Sequence, residues 1–309
     1  MQTLKLTRKE PLSPRITRFR FEHPEGAPLP VFSGGAHVMV EMQDGPVLRR
    51  NAYSLISDPL DCSGYEIAVQ REDHGRGGSL FMHRDAQPGM LMQIGPAVNL
   101  FSLNLAARKH LLIAGGVGIT PFLAQLPELA RLGAAYELHY AVRARDELAA
   151  LPMLPDTTRL HVSGEGSRMD LDAILSAQPL GTHLYVCGSA RMIETVLDTA
   201  AALGWPGDTL HAEEFLAPAP GEPFEVACAR SNRTLTVGPH QSMLEALEAA
   251  GIDAPWLCRG GACGQCETDV LSCDGTIDHH DHWLEPEERK RKIMPCVSRF
   301  RGRLLTIDR

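Results

Sequence analysis

The 309-residue sequence has no apolar run long enough to cross a membrane, and its start, MQTLKLTRKE, lacks the apolar core of a secretory signal. Both absences argue against an exported or membrane-spanning chain, so a cytoplasmic location with reduced cysteines is expected. The chain also lacks an excess of basic residues: 30 Lys and Arg face 38 Asp and Glu, for a formal net charge of −8. That balance disfavours general nucleic-acid binding, which depends on neutralising phosphates, although an acidic surface suits the steering of a basic partner protein. No internal repeat, low-complexity tract or GxGxxG fingerprint is present, so neither a repeat array nor an ordinary Rossmann dinucleotide loop is indicated. What remains is an ordinary globular composition, 44% hydrophobic and 22% charged. The length suggests about two or three domains.

Against these absences, one cysteine-rich stretch near the end of the sequence stands out. CRGGACGQC places Cys258, Cys263 and Cys266 in a C-x4-C-x2-C spacing, and Cys296 follows alone in MPCVSR. Four cysteines so spaced are the ligand set of a plant-type [2Fe–2S] site. The glycines agree with that reading, because a cluster with negatively charged thiolates and sulfides is stabilised by backbone N–H groups. Gly260, Gly261 and Gly264 let the chain turn closely enough to supply them. The alternatives are structural zinc, which prefers paired CxxC knuckles, and disulfides, which suit secreted chains. Cys62, Cys228 and Cys273 share no motif spacing and read by default as small buried hydrophobes.

Composition divides the chain into three units. Residues 1–105 show strand-like runs such as HVMVEM, YEIAVQRE and MLMQIGP with turns between them, the pattern of a small antiparallel barrel. Residues 106–216 alternate strand and helix from KHLLIAGG to TLHAEEF, which implies a parallel sheet with crossover helices. APAPGEP, residues 217–223, reads as a linker. Residues 224–309 begin with two alternating strands, FEVACAR and RTLTV, around Ser231 and Asn232. A helix SMLEALEAAG follows, with a Ser242/Glu245 capping box and a stop at Gly251. The cysteine loop, a strand around ETDVL and a final LLTID complete a β-grasp-like outline.

Two turns in the middle unit can hold a ligand. GGVGITP, Gly115 to Pro121, follows an apolar strand and precedes a helix whose first residue is expected to be Pro121. Taken alone, a glycine turn between strand and helix is often only structural. YVCGSARM, Tyr185 to Met192, repeats that geometry around Cys187 and Gly188, and in a parallel sheet both turns fall on the carboxyl edge where ligands bind. Cys187 also fits mere packing. In the first unit, RRNAYSL (Arg49 to Leu55) joins basic, aromatic and hydroxyl side chains. HGRGGSL (His74 to Leu80) offers an arginine and free N–H groups suited to a phosphate, though it equally fits a surface turn.

Taken in order, RNAYSL, GRGGS, GGVGITP, YVCGS and CRGGACGQC with its distant cysteine resemble the phthalate dioxygenase reductase family of iron–sulfur flavoproteins, over essentially the whole chain. NAYSL and ARKHLLIAGG are most similar to reductases serving carnitine-type and aromatic-acid monooxygenases. The resemblance implies a multidomain fold: an antiparallel β-barrel flavin domain, an α/β parallel-sheet nucleotide domain and a C-terminal β-grasp ferredoxin domain. It further implies that Tyr53 packs on the isoalloxazine, Ser54 lies near its redox-active nitrogen, and Arg76, Gly77, Gly78 and Ser79 bind the FMN phosphate. Gly115, Gly116, Gly118 and Thr120, with Cys187 and Gly188, would hold the nicotinamide nucleotide, and Phe215 would cover the flavin until nicotinamide displaces it. Cys258, Cys263, Cys266 and Cys296 would bind the two irons. Ser54, Cys187 and Phe215 are thus the candidate catalytic residues. The family's usual R-x-Y-S motif is altered here: Asn51 occupies the arginine slot, with Arg49 and Arg50 just upstream, so that Arg50 reaches the phosphate from a shifted place or Arg76 acts without it. Ser189 replaces a common proline after Cys-Gly, a change expected to matter little.

The function implied is that of a reductase for a two-component Rieske-type oxygenase. NADH gives up two electrons as hydride, a [2Fe–2S] cluster accepts one, and a flavin between them reconciles the two. The glycine turns would set nicotinamide about 3–3.5 Å from the flavin, a distance at which proximity supplies much of the catalysis. FMN rather than FAD and NADH rather than NADPH follow from the family, while Arg143 and Arg145 keep a 2′-phosphate site open. A monomer is expected. Two rivals remain: a reductase for another acceptor such as a cytochrome P450, and a redox sensor or binding module. DHHDH (Asp278 to His282) resembles a metal cluster but reads better as a surface loop, and EPEERKRK (Glu285 to Lys292) as a solvated helix face whose mixed charge suits contact with the oxygenase.

Overall fold

The computed structural model describes residues 1–45, 47–148, 154–215 and 220–309, so Ala217, Pro218 and Ala219 of the expected linker lie outside the described residues. It divides into two compact units, Met1–Glu214 and Phe215–Arg309, the first holding both the barrel and the parallel sheet. None of the helices described is long and apolar enough to cross a membrane.

The barrel comprises β1 (Gln2–Pro11), β2 (Ile16–Glu22), β3 (Ala36–Asp44), β4 (Val47–Ser54), β5 (Tyr65–Gln70), α1 (Gly78–Arg84), β6 (Leu91–Ile94) and β7 (Val98–Asn99). Its strands run in the order β4-β3-β6-β1-β2-β5 with β7 also on β3, and a Leu55–Ile67 bridge brings the two ends together into a nearly closed antiparallel barrel. Period-two patterning fixes which face is which. Ala36, Val38, Val40 and Met42 of β3 enter the barrel core with Leu4, Leu6, Phe19 and Phe21, so His37, Met39 and Glu41 face outward.

The second layer is a five-stranded parallel sheet built from β8 (Lys109–Gly115), α2 (Thr120–Leu132), β9 (Tyr136–Val142), β10 (Arg159–Val162), α3 (Leu171–Ser176), β11 (Thr182–Gly188), α4 (Ala190–Ala202) and β12 (Leu210–Glu214). The order β10-β9-β8-β11-β12 grows outward in both directions from β8, so the connections reverse between β8 and β11. In such sheets that switch point opens a crevice at the carboxyl ends of the strands. Helix α2 starts at Thr120 after a 3₁₀ turn (Gly116–Ile119), which puts Pro121 one place later in the helix than expected.

The barrel is held to this sheet through α2. A Cβ on Gly34 would lie 2.6 Å from Gln125 Cα, the Gly34 N–H donates to Glu128 Oε2 at 2.6 Å, and Gln125 Nε2 donates to Phe101 O at 2.7 Å. Arg131 adds an ion pair to Asp58 at 2.9 Å.

The second unit contains β13 (Phe224–Cys228), β14 (Arg233–Val237), α5 (Met243–Ala249), β15 (Thr268–Cys273), β16 (Thr276–Asp278), β17 (Lys292–Ile293), β18 (Arg299–Arg301) and β19 (Leu304–Ile307). Its main sheet runs β14-β13-β19-β15-β17, with β13 and β19 parallel and α5 packed over it through Leu244 and Leu247, a β-grasp arrangement. The Ser242/Glu245 capping box forms in both directions. Of the three cysteines expected to be buried hydrophobes, only Cys228 enters the core; Cys62 is half-buried and Cys273 exposed, because both lie on peripheral segments.

At the amino edge of the parallel sheet, Glu137 accepts from Lys109 at 2.7 Å and His139 at 2.9 Å, and pairs with Arg159 at 2.9 Å. Burial by itself would raise its pKa, but the hydrogen bonds from Lys109, His139 and Gln178 together outweigh it and hold the carboxyl at about 2, below the ordinary 4.5. A lowered carboxylate pKa stabilises the fold above the unfolded value and ceases to do so as pH falls through the folded one. Glu137→Gln should therefore cost about 1–2 kcal/mol near neutrality. In urea unfolding, the variant should also lose less stability than wild type on acidification from 4.5 towards 2.

Candidate functional site

The turns after β8 and β11 meet at the switch point. A Cβ on Gly118 would lie 2.3 Å from Cys187 O, and one on Gly188 would lie 3.4 Å from Gly115 Cα, so these backbones touch where no side chain fits. Gly116 takes a left-handed φ of 55° between them. The Thr120 hydroxyl donates to Val117 O at 2.9 Å and locks the 3₁₀ turn. Ser189, in the slot where proline was expected, caps α4 by accepting from Met192 N at 3.4 Å.

Cys187 is fully buried, beside Ala114 of β8 and Glu213 of β12. Burial, with the neighbouring Glu213 carboxylate, pushes its thiol well up, so it is a neutral packing group. Glu213 escaped the sequence reading, since nothing marks it apart from the adjacent Glu214. Its Oε2 is buried without a hydrogen-bond partner, and burial pushes the carboxyl up to about 8. Phe215 directly follows β12, whose Glu214 pairs with Gly188, and its side chain is 45% exposed.

On the barrel, β4 presents the motif residues on alternate faces. Arg49, Asn51 and Tyr53 share one face, and a Cβ on Gly77 or Gly78 would lie 2.7 Å from the Arg49 guanidinium carbon or 2.6 Å from Asn51 Oδ1. Arg49 also donates to the carbonyl of Arg76 and pairs with Asp44 at 2.8 Å. Arg50 faces the other way, paired at 2.6 Å with Glu41 directly across on β3. Arg49, rather than the expected Arg50, therefore abuts the GRGGS turn; the signal lay in the two-residue period from Tyr53. Ser79 Oγ accepts from Glu72 N at 3.0 Å, which folds that turn back on itself.

Ser54 lies directly opposite His37, and both are buried. Ser54 Oγ and His37 Nε2 on the outer face, and Tyr53 Oη on the opposite face with Val38, have no hydrogen-bond partner among the described residues, so polar capacity remains on both faces at this end of β4. Burial holds the His37 imidazole neutral, with its pKa lowered to about 4. A flavin, with a polar pyrimidine edge and a phosphate, fits that set.

In the second unit the four motif thiols come together in two hydrogen-bonded pairs, Cys258 with Cys263 and Cys266 with Cys296. The Cys263 thiol, then the N–H groups of Gly260, Ala262 and Cys263, pull Cys258 below the ordinary thiol range, and Cys296 does the same for Cys266. Among the described residues no group of three or more His, Cys, Asp or Glu side chains is placed to hold one ion; the thiols instead form two pairs. Two thiolates per iron is what a [2Fe–2S] cluster requires. The left-handed positions of the loop are Arg259, Gly261 and Gly264, so Gly260 contributes its N–H to Cys258 Sγ (3.3 Å) rather than a special φ. Arg259, a non-glycine at φ 54°, is fixed by two bonds to Glu248 of α5 at 2.7 and 2.8 Å.

Asp278 closes β16, and His279 to His282 form the expected loop, with His280 and His282 exposed. Asp281, however, is buried and accepts from Leu284 N at 2.9 Å, so the loop is anchored rather than merely solvated. EPEERKRK contains only a 3₁₀ turn (Glu288–Lys290) before β17; the expected helix does not form, and Lys292 reaches Glu267 at 2.5 Å instead.

Comparison with known proteins agrees with this architecture. Residues 226–301 match the family model of the 2Fe-2S iron-sulfur cluster binding domain, and residues 92–210 that of the dimethylamine monooxygenase subunit DmmA-like, N-terminal domain. The heme-dependent oxidative N-demethylase beta subunit of Ectopseudomonas mendocina is 46% identical, covering 96% of this chain and 95% of its own. The carnitine monooxygenase reductase subunit of Acinetobacter baumannii is 43% identical over 98% of this chain and 96% of its own. Among solved structures, phthalate dioxygenase reductase, described as a modular structure for electron transfer from pyridine nucleotides to [2Fe-2S], matches with a TM-score of 0.89 at 32% identity, covering 100% of this chain and 98% of that one.

A flavin-type barrel joined to a nucleotide-binding sheet and followed by a [2Fe–2S] domain defines an electron-transferring oxidoreductase. The chain belongs to the phthalate dioxygenase reductase family of iron–sulfur flavoproteins, whose members are reductase components of oxygenase systems.

The geometry separates the two arginines of β4. Arg49→Ala should raise the flavin dissociation constant about tenfold or more, since a charge-assisted hydrogen bond contributes roughly 1.5–3 kcal/mol. Arg50→Ala should change it less than about twofold, because its partner is Glu41. Fluorescence of flavin released on dilution measures both.

Proposed function

We propose that this reductase takes hydride from NADH onto FMN and passes single electrons through a [2Fe–2S] cluster bound by Cys258, Cys263, Cys266 and Cys296 to the oxygenase component of a Rieske-type system. The observation that carries this reading is the pairing of the four thiols, because it supplies two ligand pairs in one loop system. When bound, the flavin supplies the conversion of one two-electron transfer into two single ones.

The chain's own residues position and insulate. The touching turns at Gly115, Gly118 and Gly188, with Met192 Sδ packed on Gly115 and Gly188, would hold the nicotinamide nucleotide, and the neutral Cys187 thiol packs beside them without competing charge. Ser54 offers a hydroxyl and Tyr53 a ring face, and Phe215, the residue after β12, is the proposed cover of the flavin. Arg49, Asn51 and the turn from Arg76 to Ser79 form the phosphate end of the FMN site. NADH is favoured over NADPH because Arg145 is paired at 2.7 Å with Glu165, a carboxylate beside the place where a 2′-phosphate would be read. A monomer is proposed, and the four cysteines outside the cluster, none in a disulfide, suit a reducing cytoplasm.

A second reading changes only the acceptor. The 46% identity to a subunit named for heme-dependent N-demethylation favours a haem oxygenase as the final partner. NADH-reduced protein mixed with purified Rieske-type and haem-type oxygenase components in stopped flow separates the two by which acceptor is reduced.

Low-temperature EPR of the anaerobic protein after NADH addition tests the electron route. Wild type should show a rhombic [2Fe–2S]⁺ signal, whereas Cys263→Ser should lose it while NADH still bleaches the flavin. Flavin bleaching in wild type without a cluster signal would overturn the route, as would normal oxygenase reduction by the variant.

A further inference from the structure

Trp283 is unusual for a large aromatic side chain: it is 47% exposed, and yet it is held by a backbone contact and a hydrogen bond. Its indole edge rests on Gly264, between Cys263 and Cys266, where an added Cβ would lie 2.3 Å from Cε2 and 2.6 Å from Cζ2. Nε1 donates to Glu267 Oε2 at 3.1 Å, and Glu267 in turn pairs with Lys292. The backbone on either side is pinned. The His282 N–H donates to Gly261 O at 3.1 Å, Leu284 N donates to the buried Asp281 carboxylate at 2.9 Å, and the Leu284 side chain enters the core.

The position of the indole matches an asymmetry among the thiols. Cys258, Cys266 and Cys296 are buried, whereas Cys263, next to Gly264, is only partly so. The ring is therefore laid over the segment adjoining the one incompletely buried ligand. Water reaching a cluster raises its reduction potential by stabilising the more negatively charged reduced form, and an open edge also admits dioxygen.

We propose that Trp283 is the cover of the cluster loop, a positioning residue that keeps water and dioxygen from the cluster edge at Cys263. The proposal rests on the [2Fe–2S] reading above. It adds that this chain, rather than the docked oxygenase alone, shields the exposed ligand. The reaction held back is the transfer of one electron from the reduced cluster to dioxygen, which gives the oxidised cluster and superoxide.

The test uses the full-length holoprotein with wild-type, Trp283→Ala and Trp283→Phe chains at equal iron content. Trp283→Ala should speed oxidation of the reduced cluster by dioxygen about tenfold and raise its midpoint potential in an EPR-monitored titration, up to the ~59 mV that a tenfold shift in a one-electron equilibrium represents. Trp283→Phe should stay near wild type in both. If the alanine variant fails to retain iron, Trp283→Leu, apolar but too short to reach across Gly264, takes its place with the same expected direction. Wild-type potential and dioxygen reactivity in these variants would overturn the proposal. That includes the case in which only oxygenase reduction slows, which would make Trp283 a docking contact. Absence of any [2Fe–2S] signal in the wild-type protein would instead remove the cluster reading itself.

Discussion

The first unit depends on two stretches of main chain approaching to van der Waals contact. At the switch point, Gly118 lies so close to Cys187 O that a single methyl group would collide with it. This closeness follows from parallel pairing of β8 with β11, which brings Ala114 level with Cys187. A hydride moves only between atoms already in contact, so the close approach of these two turns is what the proposed nicotinamide site needs.

The barrel contributes in a complementary way. It packs on α2 through Gly34, Gln125 and Arg131, so the end of β4 is held in one body with the glycine turns. Tyr53, Ser54 and His37 bring unsatisfied polar atoms to that end of β4. Such polar atoms are costly to bury unless a ligand completes them, and the flavin is the ligand proposed for them.

The second unit solves a different problem, that of gathering four thiolates whose charges repel. Backbone N–H groups and paired thiol protons offset that repulsion, and the Arg259–Glu248 fork ties the loop to α5. Around this loop the DHHDHW stretch acts as a wall. Asp281 is its buried foot, and Trp283 its exposed face over Gly264. A run that looks like metal ligands by composition is thus part of the cluster's housing.

The sequence by itself determined most of the strand and helix rhythm, the three larger sheets and the four cysteines, because periodicity, capping and ligand spacing are local properties. The Ser242/Glu245 box and the strand pair around Asn232 formed as read, since each is closed by residues a few positions apart. What the tertiary structure alone decided is which side chains meet. Whether Arg49 or Arg50 faces the GRGGS turn depends on pleat and register against β3, and Arg50's commitment to Glu41 is visible only across strands. Likewise Glu213, His37 and Trp283 carry no motif. Their burial or placement comes from neighbours distant in the chain, and burial is a property of the packed whole rather than of any segment.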